Sequence, residues 1–245
     1  MTIDWEAQQL TRLLVISDIH GCLPHFNALL KKANYRPQAD KLILLGDYVD
    51  RGPSSKGVIE KVLDLVEKGN VIALRGNHDQ RLLDLIMTRK SELYDRFLKY
   101  GGLETLESYY PNVKKESIDH VLDILIDKYS HHIEFLKEMP LYHEEEHFIF
   151  VHAGINPKIK KLENQSPLDL VNIRKSFINS EHHFNKKVVF GHTRTYEIHQ
   201  SNEIWFSENK IGIDGGCVFG QQLNCLEIVN STISNQYKVN YNDVK

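Results

Sequence analysis

The stretches LLVISDIHG (13–21) and KLILLGDYVDRG (41–52) each place a short apolar run directly before a loop with glycine and acidic residues. A third stretch, VIALRGNHD (71–79), has the same arrangement with an amide and a histidine. The length of each run and its β-branched residues predict buried strands. Helical patterns at 24–34 and 55–69 separate the three strands, which indicates parallel strands joined by right-handed crossovers.

Two further strands are predicted at 147–151 and 187–190. Between the third and fourth strands, from about 80 to 139, apolar residues recur at i, i+3 and i+4, which predicts a helical insertion. After Gly191 the pattern changes to β-hairpins, and the asparagine-rich end is expected to be an edge hairpin or a frayed tail. No repeat or low-complexity linker interrupts the chain, so residues 1–245 are predicted to form a single catalytic domain.

The composition excludes several classes of protein. The 30 basic and 33 acidic residues give a net charge of −3, so no basic field would attract nucleic acid strongly. The first residues, MTIDWEAQQLTR, contain two acids and no apolar segment typical of a signal peptide. No apolar run reaches the ~18 residues that a membrane span needs. The odd set of Cys22, Cys217 and Cys225 has no CxxC spacing, which predicts packed thiols in a reducing cytoplasm rather than disulfides or a zinc–thiolate site.

Polar side chains follow five predicted strands, at the sheet edge where ligands collect in α/β proteins. Asp18 and His20 alternate at the end of one strand, so they can bind the same ion. Two carboxylates, three imidazoles and an amide oxygen suit Mn²⁺, Fe²⁺ or Zn²⁺ better than a thiolate zinc site or an all-oxygen calcium site. Turn chemistry explains any one of these motifs, but not five in this order. The candidate ligands are Asp18, His20, Asp47, Asn77, His152 and His192. Apart from these three histidines and His78 in the GNHD motif, the other nine histidines are expected on the solvated surface.

The motifs SDIHG, GDYVDRG, GNHD, VHAG and GHT together resemble the signature of the phosphoprotein phosphatase family of calcineurin-like metallophosphoesterases. The likeness is greatest to bacterial and phage serine/threonine phosphatases, and it extends from about Leu13 to Leu226. It implies an α/β fold in which two mixed β-sheets are sandwiched between helices. It also implies two divalent metal ions, with Mn²⁺ expected first and Fe²⁺ or Zn²⁺ as alternatives.

The resemblance also implies how the ligands are shared between the two ions. Asp18 and His20 match the ligands of the first metal, and Asp47 matches the carboxylate that bridges both. The ligands of the second metal would be Asn77, His152 and His192. A hydroxide bound by the metals would then attack phosphorus in line, without a phosphoenzyme.

The remaining catalytic roles come from the same resemblance. His78 resembles the general acid, and Asp50 resembles the carboxylate that orients it. Arg51 and Arg174 match the two arginines that hold the phosphoryl oxygens, together with Asn77. Guanidinium groups suit this task because they bind phosphate in a bidentate manner.

The predicted function is therefore a binuclear phosphoesterase that hydrolyses phosphomonoesters, with a phosphorylated protein or a small phosphoester as substrate. A serine/threonine phosphatase is favoured, and a nucleotide phosphoesterase such as a diadenosine tetraphosphate hydrolase is the alternative. Symmetrical members of the alternative group typically read DIQG and DLVARG, where this chain has His20 and Asp50-Arg51. A non-catalytic scaffold is disfavoured because such proteins usually lose ligands or the acid histidine, and this chain keeps them.

The helical insertion offers a way to distinguish these substrates. If its basic residues face the cleft, they would bind a longer polyphosphate, and otherwise they form a solvated helix face. These residues are Arg81, Arg89, Lys90, Arg96 and Lys99.

Overall fold

The three apolar runs that precede the acidic loops form the centre of a five-stranded mixed sheet. The structure, a computed structural model, describes residues 12–244. In order across the first sheet, the strands are β10 (Thr232–Asn240), β9 (Gln222–Val229), β1 (Arg12–Ile16), β2 (Asp40–Leu44) and β3 (Asn70–Ala73). β1, β2 and β3 run parallel, whereas β9 is antiparallel to both β1 and β10. The three loops that follow β1–β3 therefore meet at one edge of the sheet.

A second mixed sheet contains the other two predicted strands. In order, its strands are β4 (Tyr142–Glu144), β5 (Phe148–Val151), β6 (Lys187–Phe190), β8 (Lys210–Gly212) and β7 (Trp205–Phe206). β5, β6 and β8 are parallel, and the short edge strands β4 and β7 are antiparallel to their neighbours. The predicted pair of mixed sheets is confirmed.

Side chains of β1 alternate between two cores because successive residues of a strand point to opposite faces. Leu14 and Ile16 pack with the helices that cover the first sheet. Leu13 and Val15 face the second sheet, where they share a core with Phe150 of β5. The opposite face of the second sheet forms a third core with the helices that cover it. The layers are thus helix, sheet, sheet, helix, as predicted.

Helices connect the strands and cover the outer faces. α1 (Leu23–Lys32) and α2 (Ser55–Lys68) link the parallel strands of the first sheet. Five helices fill the predicted insertion, and the first begins three residues earlier than expected; they are α3 (Asn77–Thr88), α4 (Ser91–Lys99), α5 (Gly102–Tyr109), α6 (Ile118–Lys128) and α7 (Ser130–Glu138). Three short helices belong to the second half of the chain: α8 (Pro167–Asn172), α9 (Lys175–Ile178) and α10 (Thr195–His199). Within residues 12–244, no helix is long and apolar enough to cross a membrane.

The asparagine-rich end forms the predicted edge hairpin rather than a frayed tail. β9 and β10 are joined at Asn230 and Ser231, which both have positive φ angles, of 48° and 62°. Two successive positive φ angles are typical of the type I′ turn, whose twist matches that of antiparallel strands. The expectation that the N-terminus is not a signal peptide falls on residues 1–11, outside the described residues.

The prediction of packed cysteines is confirmed, whereas the prediction that the histidines outside the site lie on the surface is wrong for three of them. Cys22, Cys217 and Cys225 are all free and buried, as predicted for packed thiols. Cys22 and Cys217 lie near His25, with one ligand atom of each of the three residues within 4.8 Å of the others. His25, His132 and His182 were expected on the surface, but all three are buried. Each accepts or donates a hydrogen bond within the fold, which lowers the free-energy cost of burying an imidazole.

Candidate active site

The loops at the strand ends bring all six candidate metal ligands into one buried cluster. Asp18 and His20 follow β1, and Asp47 follows β2. The remaining three are Asn77 at the start of α3, His152 after β5 and His192 after β6. All six side chains are at least nine-tenths buried. Both sheets therefore supply ligands to the same site.

The carboxylate of Asp47 lies at the centre of this cluster. Its Oδ2 is 3.4 Å from His20 Nε2, and its Oδ1 is 3.5 Å from His152 Nε2. His152 Nε2 is also 3.0 Å from Asn77 Oδ1. His192 completes a group with Asp47 and His152 whose ligand atoms lie within 4.8 Å of one another. Each oxygen of the Asp47 carboxylate thus faces a different group of candidate ligands.

Asp18 joins the cluster from the side of His20. Its Oδ1 lies 4.0 Å from His20 Nε2, and its Oδ2 accepts a hydrogen bond from the backbone N–H of His192 at 2.9 Å. A Cβ atom at Gly191 would lie only 2.1 Å from the same Oδ2. Glycine is therefore required for the end of β6 to approach the end of β1 so closely.

The backbone of these loops adopts an uncommon conformation. Six non-glycine residues of the site have positive φ angles between 44° and 71°, a region that L-amino acids rarely adopt. They are Asp18, His20, Asp47, Asp50, Arg51 and His192. Such backbone strain is found where the surrounding structure fixes side chains for binding or catalysis.

Hydrogen bonds hold the candidate ligands in orientations that expose one atom of each to the cluster. His20 Nδ1 donates to the carbonyl of Val49 at 2.7 Å, and His152 Nδ1 donates to the carbonyl of Leu45 at 2.9 Å. Each imidazole is left with Nε2 facing Asp47. Such bonds to the second ring nitrogen fix the tautomer and orientation of metal-binding histidines.

The charges of the cluster fit divalent cations. Burial, followed by the nearby charge of Asp18, raises the pKa of Asp47. Burial also lowers the pKa values of His20, His152 and His192, so their imidazoles are neutral and can donate a lone pair. His192 Nε2 is buried without a hydrogen-bond partner among the described residues. A cation would stabilise the carboxylates and occupy this lone pair, so the residues fit the two ions that the motifs imply.

Next to the candidate metal ligands, His78 lies among the carboxylate of Asp50 and the guanidinium groups of Arg51 and Arg81. Its Nδ1 is 2.6 Å from Asp50 Oδ2, and its Nε2 is 2.7 Å from Arg51 Nη2. Arg81 Nη1 lies 2.9 Å from His78 Nδ1 and 3.6 Å from Asp50 Oδ2. Thr105 on α5 donates to Asp50 Oδ1 at 2.8 Å. His78 and Asp50 are therefore paired, as predicted, and Arg81 and Thr105 of the helical insertion contact the pair.

A cavity of about 270 Å³ opens over the cluster. Asp18, Asp47 and His78 line its base, and both arginines that the motifs suggest line its walls. Arg51 reaches His20 and His78, whereas Arg174 is exposed and places Nη1 3.4 Å from Thr193 Oγ1. A phosphate group in this cavity would meet both guanidinium groups and the candidate metal ligands.

Comparison with known proteins agrees with this geometry. The family model for calcineurin-like phosphoesterases matches residues 11–225. The chain belongs to the calcineurin-like phosphoesterase family. Among curated relatives, the bis(5′-nucleosyl)-tetraphosphatase PrpE [asymmetrical] of Anoxybacillus flavithermus is 28% identical over 86% of this phosphoesterase and 88% of its own length. The enzyme of the same name from Bacillus cereus strain Q1 is 30% identical over the same shares.

Solved structures share the fold at lower identity. A proposed diadenosine tetraphosphatase has a TM-score of 0.66 and 21% identity, covering 94% of this phosphoesterase and 93% of its own chain. A Saccharomyces cerevisiae protein serine/threonine phosphatase has a TM-score of 0.61 and 13% identity, covering 96% and 81%. At these identities the structures support the fold and do not distinguish substrates.

The structure also places residues at the site that the motifs did not reveal. Asp214, which follows β8, lines the metal cavity and is buried. Its position at the end of a strand was a usable signal, since IGID (211–214) resembles the other strand ends. Arg81 is another, because a residue three positions after His78 on a helix lies on the same face. Phe219 also lines the rim, together with Arg194, which flanks the GHT motif and for which a rim contact is expected. The Arg194 guanidinium lies 4.5 Å from the centroid of the Phe219 ring.

Proposed function

We propose that this phosphoesterase hydrolyses dinucleoside tetraphosphates asymmetrically, to a nucleoside monophosphate and a nucleoside triphosphate. The observation that carries the substrate class is the similarity, over 86% of the chain, to enzymes named as asymmetrical bis(5′-nucleosyl)-tetraphosphatases. It favours the nucleotide alternative over the serine/threonine phosphatase that the motifs suggested first. The proposal includes a single catalytic domain over residues 1–245 and a cytoplasmic location.

The donor set supports a binuclear centre, for which we propose Mn²⁺, with Fe²⁺ or Zn²⁺ as alternatives. Asp18 and His20 would hold one ion, and Asp47 would bridge both. The second ion would be held by Asn77, His152 and His192. When bound, the two cations would supply Lewis acidity to the phosphoryl group and lower the pKa of the attacking water.

The reaction breaks one phosphoric anhydride bond. The oxygen of water bonds to the first phosphorus, and the bond between that phosphorus and its bridging oxygen breaks with both electrons going to the bridging oxygen. We propose that Arg51 moves from His78 Nε2 to the phosphoryl oxygens and shares them with Arg174 and Asn77. Once Arg51 has moved away and Nε2 has taken up a proton, His78 gives that proton to the bridging oxygen while Asp50 holds Nδ1–H. The attacking water releases one proton to solvent, from which Nε2 is protonated again. Such an acid typically contributes ~10²–10⁴-fold in rate where the leaving group needs a proton, and less for a triphosphate, which leaves as a stable anion.

The deciding experiment compares kcat/KM for diadenosine tetraphosphate, a phosphothreonine peptide and an aryl phosphate at one concentration of Mn²⁺. We expect the tetraphosphate to be preferred by at least about tenfold, which is about 1.4 kcal/mol in activation free energy. The products should be AMP and ATP, not two molecules of ADP. A preference for the phosphopeptide would restore the protein phosphatase interpretation and leave the metal site unaffected.

A second experiment tests the metal centre itself. Treatment with a chelator should abolish activity, and Mn²⁺ should restore it. Asp47→Ala should reduce activity more than Arg174→Ala because Asp47 contacts both groups of ligands, whereas Arg174 meets only substrate. Full activity in metal-free protein would exclude a metal-dependent mechanism.

A further inference from the structure

A second cavity adjoins the metal site and extends from it between α3, α4 and α8. It has a volume of about 260 Å³ and shares Asn77 with the metal cavity. Its apolar wall consists of Leu93, Leu141, Pro167, Leu168 and Val171. Arg81 and Arg96 of the helical insertion also line it. The cavity therefore combines an apolar surface with two cations next to the reacting centre.

Arg96 is unpaired among the described residues, and Arg81, which contacts Asp50 through Nη1 at 3.6 Å, keeps one unused donor. Arg81 is only 7% exposed, and its Nε is buried without a hydrogen-bond partner among residues 12–244. No described carboxylate lies within ion-pairing distance of Arg96, which is exposed at the mouth of the cavity. Asp84, the acidic residue of the lining, accepts a hydrogen bond from Gln80 at 2.8 Å. A buried guanidinium with an unused donor, beside a second guanidinium, favours an anionic ligand.

The other basic residues of the insertion have different surroundings. Arg89 is paired with Asp119 and Asp123 on the surface, at 2.9 and 2.8 Å, and does not line the cavity. The sequence alone left open whether these cations face the cleft. Arg81 and Arg96 line the second cavity, which adjoins the metal site, whereas Arg89 does not line it.

The apolar wall adds a requirement for a hydrophobic group. Leu168 is 69% exposed, and Leu93 is half-buried on the opposite helix. The volume of about 260 Å³ lies just below the ~300–1,000 Å³ typical of small-molecule sites, so the cavity suits one nucleoside rather than a peptide. Phosphates beside guanidinium groups, followed by an apolar ring system, are the chemistry of a nucleotide.

The position of Arg81 indicates which part of the substrate enters. Its Nη1 lies 2.9 Å from His78 Nδ1, so the cavity opens beside the residue that faces the departing oxygen. We propose that this cavity binds the leaving nucleoside triphosphate, with its phosphates on Arg81 and Arg96 and its nucleoside against Leu168. This inference rests on the proposed function. The arginines would stabilise the negative charge that develops on the leaving group as the anhydride bond breaks.

The test uses Arg96→Gln and Leu168→Ser, two exposed positions where substitution spares the core. Arg89→Gln is the matched control, because Arg89 belongs to the same helical insertion but lies outside the cavity. The ratio of kcat/KM for diadenosine tetraphosphate to that for an aryl phosphate should fall about tenfold in Arg96→Gln and stay at the wild-type value in Arg89→Gln. Equal losses with both substrates in Arg96→Gln, or no loss, would overturn the assignment.

Inhibition by products separates this inference from the proposed function. At fixed free Mn²⁺, ATP and AMP are compared as competitive inhibitors of aryl phosphate hydrolysis. Arg96→Gln and Leu168→Ser should weaken inhibition by ATP about tenfold and leave inhibition by AMP unchanged. If wild-type protein does not cleave the tetraphosphate, the proposed function fails. The effect of the two substitutions on inhibition by ATP then decides by itself whether the cavity binds a triphosphate. Weakened binding of AMP rather than ATP would contradict a triphosphate site.

Discussion

His78 is held on both ring nitrogens, and this fixes what its substitution should do. Asp50 Oδ2 lies 2.6 Å from Nδ1, and Arg51 Nη2 lies 2.7 Å from Nε2. Since Nδ1–H donates to Asp50, Nε2 is the atom that faces the metal site. In the proposed reaction Arg51 turns to the substrate, and Nε2 is then the ring nitrogen that can carry a proton to the leaving group.

His78→Asn should therefore lower kcat/KM most for those substrates whose leaving group most needs a proton. We expect a loss of about 10²–10⁴-fold for an alkyl phosphate. The loss should be much smaller for a nitrophenyl phosphate or the tetraphosphate, whose leaving groups are stable anions. Asp50→Asn should give a smaller loss with the same pattern. Measured kcat/KM values that fall equally for alkyl and nitrophenyl phosphates would show that His78 is not the acid.

The sequence placed the candidate ligands at the ends of predicted strands, where the structure also has them, and the reason is local. His152 directly follows an apolar run, and Asp18 and Asp47 each follow one after a single small residue, so the end of the strand determines where the side chain lies. Thr105 carries no such signal, because it reaches Asp50 from a helix 55 residues later in the chain. Contacts of this kind depend on tertiary packing, which the local pattern of residues does not encode.

Helix α5 holds the carboxylate of Asp50, the proposed partner of His78, through the buried hydroxyl of Thr105. Thr105 Oγ1 accepts the backbone N–H of Asp50 at 2.8 Å and donates to its Oδ1 at 2.8 Å. Thr105→Val keeps the volume but removes both bonds, so we expect kcat to fall roughly 10- to 100-fold while KM changes little. The free energy of unfolding should fall by about 1–3 kcal/mol. Thr105→Ser retains the hydroxyl and should recover most of kcat; if it does not, the methyl group matters rather than the hydrogen bond.

Helices α5 and α7 meet around a buried histidine that should make stability depend on pH. Burial, and then the charges of His131 and Lys56, lowers the pKa of His132 to about 4. Its Nδ1 lies 2.9 Å from the hydroxyl of Tyr109. The unfolded chain, with a histidine pKa of about 6.5, binds the proton more readily, so this stabilisation is complete above about pH 6.5 and is lost as pH falls toward 4.

The measurement is the free energy of unfolding in denaturant between pH 7 and pH 4.5. His132 contributes a slope of at most about 1.4 kcal/mol per pH unit. The slope should be smaller in His132→Gln and unchanged in His183→Gln, since His183 is exposed. An identical slope in wild type and His132→Gln would mean that other groups cause the acid sensitivity.

At the scale of the whole molecule, the site lies where the two sheets meet. The first sheet supplies Asp18, His20 and Asp47, and the second supplies His152 and His192. The sequence predicted that five strands share one edge, but it did not show how the sheets divide these ligands. That division depends on the packing of β1 against β5 and β6 and on the close approach of Gly191 to Asp18. Ions bound here would therefore connect the two halves of the fold.

This arrangement predicts that metal ions stabilise the entire protein and not only the loops. An ion that binds the folded state alone adds about 2.7 kcal/mol to the free energy of unfolding at 100 times its dissociation constant. For a chain of this length that raises Tm by roughly 5–10 °C. Thermal unfolding of metal-free protein titrated with Mn²⁺ measures the effect. The shift should be nearly absent in Asp47→Ala, reduced in His152→Ala and unchanged in Arg89→Gln. A full shift in Asp47→Ala would place the stabilising ion elsewhere, because Asp47 is the carboxylate that faces the ligands of both sheets.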